Sequence, residues 1–154
     1  MNKVFQKSGS ILFALLLTLT SLLSAQAAPA FIPIVVSNTN DSGAGSLRQA
    51  LLDANDGDVI DLTGLAGTIT LSSELSVLDS LTINGPGSGV LTVSGNNVVR
   101  VFSIASGKAV VINHLTIANG RVLDQHGAGI DNHGSLTLEN VQVTNNHVDK
   151  FLAD

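Results

Sequence analysis

The sequence predicts an all-β chain, a parallel β-helix in which short strands stack as coils, closed at its N-terminal end by one short helix. Three observations predict it. First, one phrase returns: Leu81-Thr82-Ile83-Asn84-Gly85, Leu91-Thr92-Val93-Ser94-Gly95, Leu115-Thr116-Ile117-Ala118-Asn119-Gly120 and Leu136-Thr137-Leu138-Glu139-Asn140. Second, longer blocks superpose without a gap, 109–120 on 135–146 at a spacing of 26 and 80–85 on 109–114 at a spacing of 29. Third, the units hold only alternating strand patterns broken by Gly and Asn, with no helical period; self-similarity of roughly 20 to 50 residues marks stacked repeats, and strand-only units select a β-helix among them. A sandwich of short antiparallel strands also gives alternation and regular turns, but it does not call for gapless repeats.

Residues 1–27 are expected to lie outside the fold. Lys3 and Lys7 form a basic start, Ile11 to Leu23 is an apolar core, and Ala25-Gln26-Ala27 is a small-x-small cleavage pattern, together a secretory signal of bacterial type. The apolar run is shorter than the roughly 20 residues that cross a bilayer, so cleavage after Ala27 is expected, leaving no transmembrane segment. Composition fits export. The remaining chain holds five basic and twelve acidic residues, a net charge of −7, which removes the basic footprint that nucleic acid requires. Without cysteine, stability must come from stacking. Phe31, Phe102 and Phe151 are the aromatics left, so no aromatic platform for sugars or bases is visible.

Residues 28–58 read as strand, loop and cap. Phe31 to Val36 is an edge strand, because Pro33 cannot donate to a ladder, and 37–45 is a loop. A helix is expected over 46–55. Ser46 serves as N-cap with Gln49 reaching back in a capping box, and Leu47, Ala50, Leu51 and Ala54 make one apolar face. Its task is to cover the first coil, which would otherwise expose its bore and its strand edges. Residues 59–147 are the coils, two to three of them, and 148–154 is an irregular tail.

The helix region carries a resemblance. The run from Val36 to Asn55, with Ser46-Leu47-Arg48-Gln49-Ala50 at its centre, resembles the opening of bacterial secreted proteins with a CSLREA-type motif. The pieces Leu81 to Gly87, Val101 to Ile104 and Gly127 to Asn132 are similar to the repeats of polymorphic outer-membrane proteins. The resemblance implies a right-handed parallel β-helix that is secreted, extracellular or on the bacterial outer surface, and a family without shared chemistry. It departs in having Ser46 and no Cys at the motif's opening, and in stopping before the further coils and C-terminal sorting element of such proteins. A truncated member is therefore expected, or a minimal β-helix that closes its open end by self-association.

Candidate chemistry is sparse. A uronate lyase needs a cation and a base, and a hydrolase needs two carboxylates flanking the bond. Asp124 and Asp131 flank a loop, and Arg100, Lys108 and Arg121 are the basic residues of the repeats, but like groups do not recur on adjacent coils. No catalytic site is expected. His126, Asp131 and His133 are the weak metal candidates, at a spacing that matches no defined signature; solvated turn histidines are the plainer reading, and no metal or other cofactor is expected. Asp53 to Asp58 is a helix stop and not a calcium loop, since Gly57 comes early and Gly64 replaces the closing Glu. Residues 85–89 form a strand turn, because no helix follows to bind phosphate. Asn84, Asn113 and Asn140 are read as an inter-coil amide ladder. The expected role is structural, display or adhesin-like, with a surface glycan or host protein as partner; the alternatives are a fragment of a polysaccharide-active β-helix enzyme and a remnant without function.

Overall fold

A computed structural model describes residues 32–151; the predicted signal and its cleavage residues Ala25 and Ala27 lie outside that range. The chain runs β1 (Ile34–Val35), α1 (Leu47–Asp53), β2 (Val59–Asp61), β3 (Gly67–Thr70), β4 (Leu75–Val77), β5 (Thr82–Asn84), β6 (Leu91–Ser94), β7 (Phe102–Ile104), β8 (Ala109–Asn113), β9 (Thr116–Ala118), β10 (Arg121–Leu123), β11 (Ile130–Asn132), β12 (Ser135–Glu139), β13 (Gln142–Thr144) and β14 (His147–Asp149). Every strand pair is parallel. Sheet I stacks β1-β2-β5-β8-β12, sheet II β3-β6-β9-β13, sheet III β4-β7-β11, and sheet IV is the pair β10-β14. This is an all-β parallel solenoid with one short helix.

Four coils replace the two to three expected. The first coil escapes the repeat phrase because Val59–Asp61 and Gly67–Thr70 lack the Leu-Thr-Ile-Asn wording, yet they pair in register, Ile60 on Ile83 and Ile69 on Val93. The chain also stays in strand through His147–Asp149, beyond residue 148 where the irregular tail was expected. That strand is held by pairing with β10 rather than by its own pattern. The two repeat spacings reappear as register, Ser135 opposite Ala109 and Thr82 opposite Val111.

Inward residues stack into columns: Ile60, Ile83 and Ile112 in sheet I, Ile69, Val93 and Ile117 in sheet II, and Leu75 and Phe102 in sheet III are fully buried. Parallel pairing puts like side chains about 4.8 Å apart on one face, so aliphatic residues recur where the bore must be filled. Corners are made by residues with left-handed backbone. His114 and Asn140 turn the chain from sheet I to sheet II, and Asn119 and Asn145 turn it onward, all at φ of 53 to 54°. Asn tolerates that region better than most residues.

Helix α1 packs on β2 and β4 through buried Leu47, Ala50 and Leu51. It covers the bore at the first coil. Ser46 Oγ accepts from Gln49 N at 3.2 Å, while the Gln49 side chain reaches forward to Asp53 Oδ1 at 2.8 Å. Only one arm of the capping box is formed, because an acceptor one helical turn ahead takes the Gln49 amide. Of the expected edge strand, Phe31 lies outside the described residues, and the strand spans Ile34–Val35 with Pro33 outside the ladder.

Candidate functional site

The flank between sheets II and III is where the solenoid departs from a plain prism. The connection spans 71–74 in the first coil, 95–101 in the second and 119–129 in the third. The third detour includes β10, which β14 joins in the fourth coil. Coils three and four therefore carry a ledge. Beside it is an open groove lined by Ser72, Ser73, Val98, Arg100, Arg121 and Leu123.

A column of opposite charges runs along this flank. Arg48 of α1 donates to Asp41 Oδ1 at 2.6 Å, Ser73 O at 2.7 Å and Glu74 O at 2.8 Å. Burial alone would raise the Asp41 carboxyl, but hydrogen bonds from Arg48 and Ser72 outweigh it and hold the group below its ordinary 3.8. One coil on, Arg100 pairs with Glu74 Oε2 at 2.8 Å and approaches Asp131 Oδ2 at 3.3 Å. It also donates to Gly127 O, Gln125 Oε1 and His126 O at 3.0 to 3.1 Å. Its side chain is 11% exposed. The guanidinium fork is thus spent on holding the ledge, since its planar donors match several carbonyls and carboxylates at once.

The weak metal candidates His126, Asp131 and His133 lie along this column. Asp131 lies between Arg100 and His133 Nε2, the latter at 3.3 Å. His126 contributes its backbone carbonyl to Arg100, and its side chain is exposed. Among the described residues no three His, Asp or Glu side chains converge on a cation position. The Arg100 guanidinium lies beside both Asp131 and the His126 carbonyl. Asp124 and Asp131 do not act as a pair either: Asp124 Oδ1 accepts from Phe151 N at 3.0 Å, away from the Arg100 network. Lys108, on the opposite flank, is bound by Asp56 at 2.9 Å and Asp79 at 3.3 Å. Asp56 chiefly raises the Lys108 pKa, while the Ser80 N–H and then Lys108 lower that of Asp56.

The amide ladder is shorter than three rungs. Asn113 Nδ2 donates to Asn84 Oδ1 at 3.0 Å, but the residue in register in the fourth coil is Glu139. Asn140 sits one position further, with its Nδ2 3.1 Å from His114 Nε2. The reason is its corner geometry, which removes it from the strand. The residues that sequence reasoning missed are Glu74, Gln125 and Asn146. Asn146 ties two coils by accepting from Gly120 N at 2.7 Å and donating to Ile117 O at 3.1 Å. A signal for Glu74 existed: Arg48, Glu74 and Arg100 alternate in sign at spacings of 26 residues, with Arg48 meeting the Glu74 main-chain carbonyl and Arg100 its carboxylate.

No family model matches the chain, and no solved structure matches it. It is 38% identical over 93 residues to the probable pectate lyase C of Aspergillus terreus (strain NIH 2624 / FGSC A1156), covering 58% of this chain and 20% of that protein. The chain thus spans about a fifth of the length of that relative. Among the described residues no helix is long and apolar enough to cross a membrane. The chain is a parallel β-solenoid with partial similarity to a probable pectate lyase.

Proposed function

We propose that the chain is a secreted or cell-surface β-solenoid segment whose role is structural, in display or attachment, and not catalytic. The observation that carries this reading is the use of its cations. Arg48, Arg100, Lys108 and Arg121 each pair with a carboxylate from another turn of the chain or from the cap, so the groups that a uronate site would need are spent on holding coils together. The basic start, apolar core and small-x-small pattern of residues 1–27 support export. The Ser46-Leu47-Arg48-Gln49-Ala50 helix over strand repeats supports a CSLREA-type protein, and a surface glycan or host protein is the partner class that follows from display.

A second reading is favoured by the similarity to a probable pectate lyase: a segment of a β-helix enzyme acting on an acidic polysaccharide. The two separate on the whole chain purified from the medium of cells expressing it. Incubation with polygalacturonate and calcium, followed by ultraviolet absorbance of unsaturated product, is expected to give no turnover above a boiled control, with the chain in the medium. Turnover that Arg100→Gln abolishes would establish the enzyme reading, and retention of the uncleaved chain in the cytoplasm would remove display.

A further inference from the structure

The ledge formed by the third and fourth coils is an unfinished sheet. β10 pairs with β14 on one side only. In a parallel ladder, alternate residues of a strand send both N–H and C=O to the same neighbour. His147 N donates to Gly120 O and Asp124 N to Asp149 O, each at 2.8 Å, so Gly120, Val122 and Asp124 face β14. Arg121 and Leu123 face the other way. There Arg121 N donates to Val99 O at 3.0 Å, after which the second coil turns inward and rejoins the third where Val101 N meets Ala128 O at 3.2 Å. Among the described residues β10 has no strand partner on that side, and no turn or loop hydrogen bond reaches Arg121 C=O, Leu123 N–H or Leu123 C=O.

The space beside those three groups is the flank groove. Coils one and two have connections too short to place a strand in it. Its rims are aliphatic: Val98 is 63% exposed and Leu123 46%. Its charges are neutralised within the chain, Arg100 by Glu74 and Asp131 and Arg121 by Asp149. No aromatic side chain lines it.

We infer that this edge is a strand-addition site for a short, extended, uncharged polypeptide segment of another protein, which continues the β14-β10 sheet by one strand. Three features select that occupant. A row of acceptor, donor and acceptor along a strand is complementary to another main chain. The added strand extends a ladder that already exists. Neutralised cations give an anionic sugar nothing to bind, and the lack of a ring gives a neutral sugar no stacking surface. Val98 and Leu123 then set the preference, an apolar side chain at alternate positions of the segment. The inference rests on the attachment reading only in taking the partner to be a separate protein, and its test on the purified chain is independent of where the chain resides.

The probe is a blocked five-residue peptide of alternating Val and Ser, compared with the same peptide N-methylated on alternate backbone amides. Amide resonances and hydrogen exchange are followed in the isotope-labelled full chain. In the free chain the Leu123 amide is expected to exchange faster than those of Val122 and Asp124. With the unmethylated peptide at about millimolar concentration, where weak binding of this kind registers, the Leu123 amide should shift and become protected. Methylation of the bonding amides, or Val98→Lys on the rim, should weaken binding about tenfold, the loss of roughly one hydrogen bond or one apolar contact. Equal affinity of the methylated peptide, shifts centred outside the groove, no shift at all, or a Leu123 amide already as protected as Val122 would each overturn the assignment. None of these outcomes bears on export or catalysis, so the reading of the whole chain stands or falls separately.

Discussion

Replacing Glu139 with Asn should stabilise the fold, and the size of the gain follows from one orphaned atom. Asn113 gives its Nδ2 to Asn84 in the coil below, while its Oδ1 is buried without a partner. The fourth coil places Glu139 in register with it, and an ionised carboxylate accepts but does not donate. An unmet buried acceptor costs about 1–3 kcal/mol, and a new hydrogen bond returns about 0.5–1.5 kcal/mol net. Both Glu and Asn are weak strand formers, so the exchange itself is worth a few tenths of a kcal/mol. The expected gain is about 1 kcal/mol, or about 3–5 °C in Tm for a domain of this size. The chain has no Trp or Tyr, so unfolding is followed by far-ultraviolet circular dichroism in urea, where Cm should rise at unchanged m. Glu139→Ala removes the charge without supplying a donor and should not give the gain. In an Asn113→Ala background the benefit of Glu139→Asn should vanish. Equal stabilisation by Glu139→Ala, or a gain that survives loss of Asn113, would refute the ladder argument.

Three further outcomes follow from packing and charge. Phe102 is fully buried between Leu75 and Ile130 in sheet III, so Phe102→Ala should cost about 3–5 kcal/mol, measured as a fall in the urea midpoint; a loss below about 1 kcal/mol would mean that the bore is loosely packed there. At Gly120 a Cβ would collide with the Ala128 carbonyl, so Gly120→Ala should destabilise more than Gly64→Ala, whose Cβ meets open space, and a reversed order in thermal unfolding would count against the close approach. Asp41, Asp56 and Asp61 all have folded pKa values below 3.8, Asp61 through its Thr63 hydroxyl and then the Thr63 N–H. Depressed carboxylates contribute stability that is present above the unfolded value and lost as pH falls through the folded one, so urea midpoints should hold above about pH 4 and drop below it. A midpoint flat through that window would refute the linkage.

What the sequence exposed and what it hid follow from the same stacking rule. Strands that repeat the Leu-Thr-Ile-Asn wording declared their own register, because parallel pairing sets each residue on its counterpart and the bore then demands the same residue type. Where the wording lapses, as in Val59–Asp61, all three residues still pair in register and Ile60 fills the bore, but a count of phrases misses the coil. Glu139 stands where the ladder needs an Asn, and Asn140 is the counterpart of His114 at the corner. A corner and a strand end look alike in sequence when both favour Asn, and the difference is a backbone φ of 53° at Asn140. β14 is a strand only because β10 lies beside it. Gln49 turned toward Asp53 because a helix offers a partner one turn ahead as readily as one behind.

The charged column has a different logic, and it bears on function. A catalytic reading looks for like groups at equivalent places, two carboxylates or a cluster of cations, because chemistry concentrates one sign of charge. This flank instead sets each Arg against carboxylates, Arg48 against Asp41 and Arg100 against Glu74 and Asp131. Pairing of opposite charges neutralises field where concentration would focus it, and a largely buried Arg bonded through all three of its nitrogens gives up far more on leaving its partners than an exposed pair does. Arg100 is therefore a poor candidate for reaching a substrate and a good one for fixing a loop. What it fixes is the loop 125–127 behind β10, the same strand whose outer edge is left unpaired. The Arg100 guanidinium is spent on holding a ledge, and the strand of that ledge keeps one edge unpaired among the described residues.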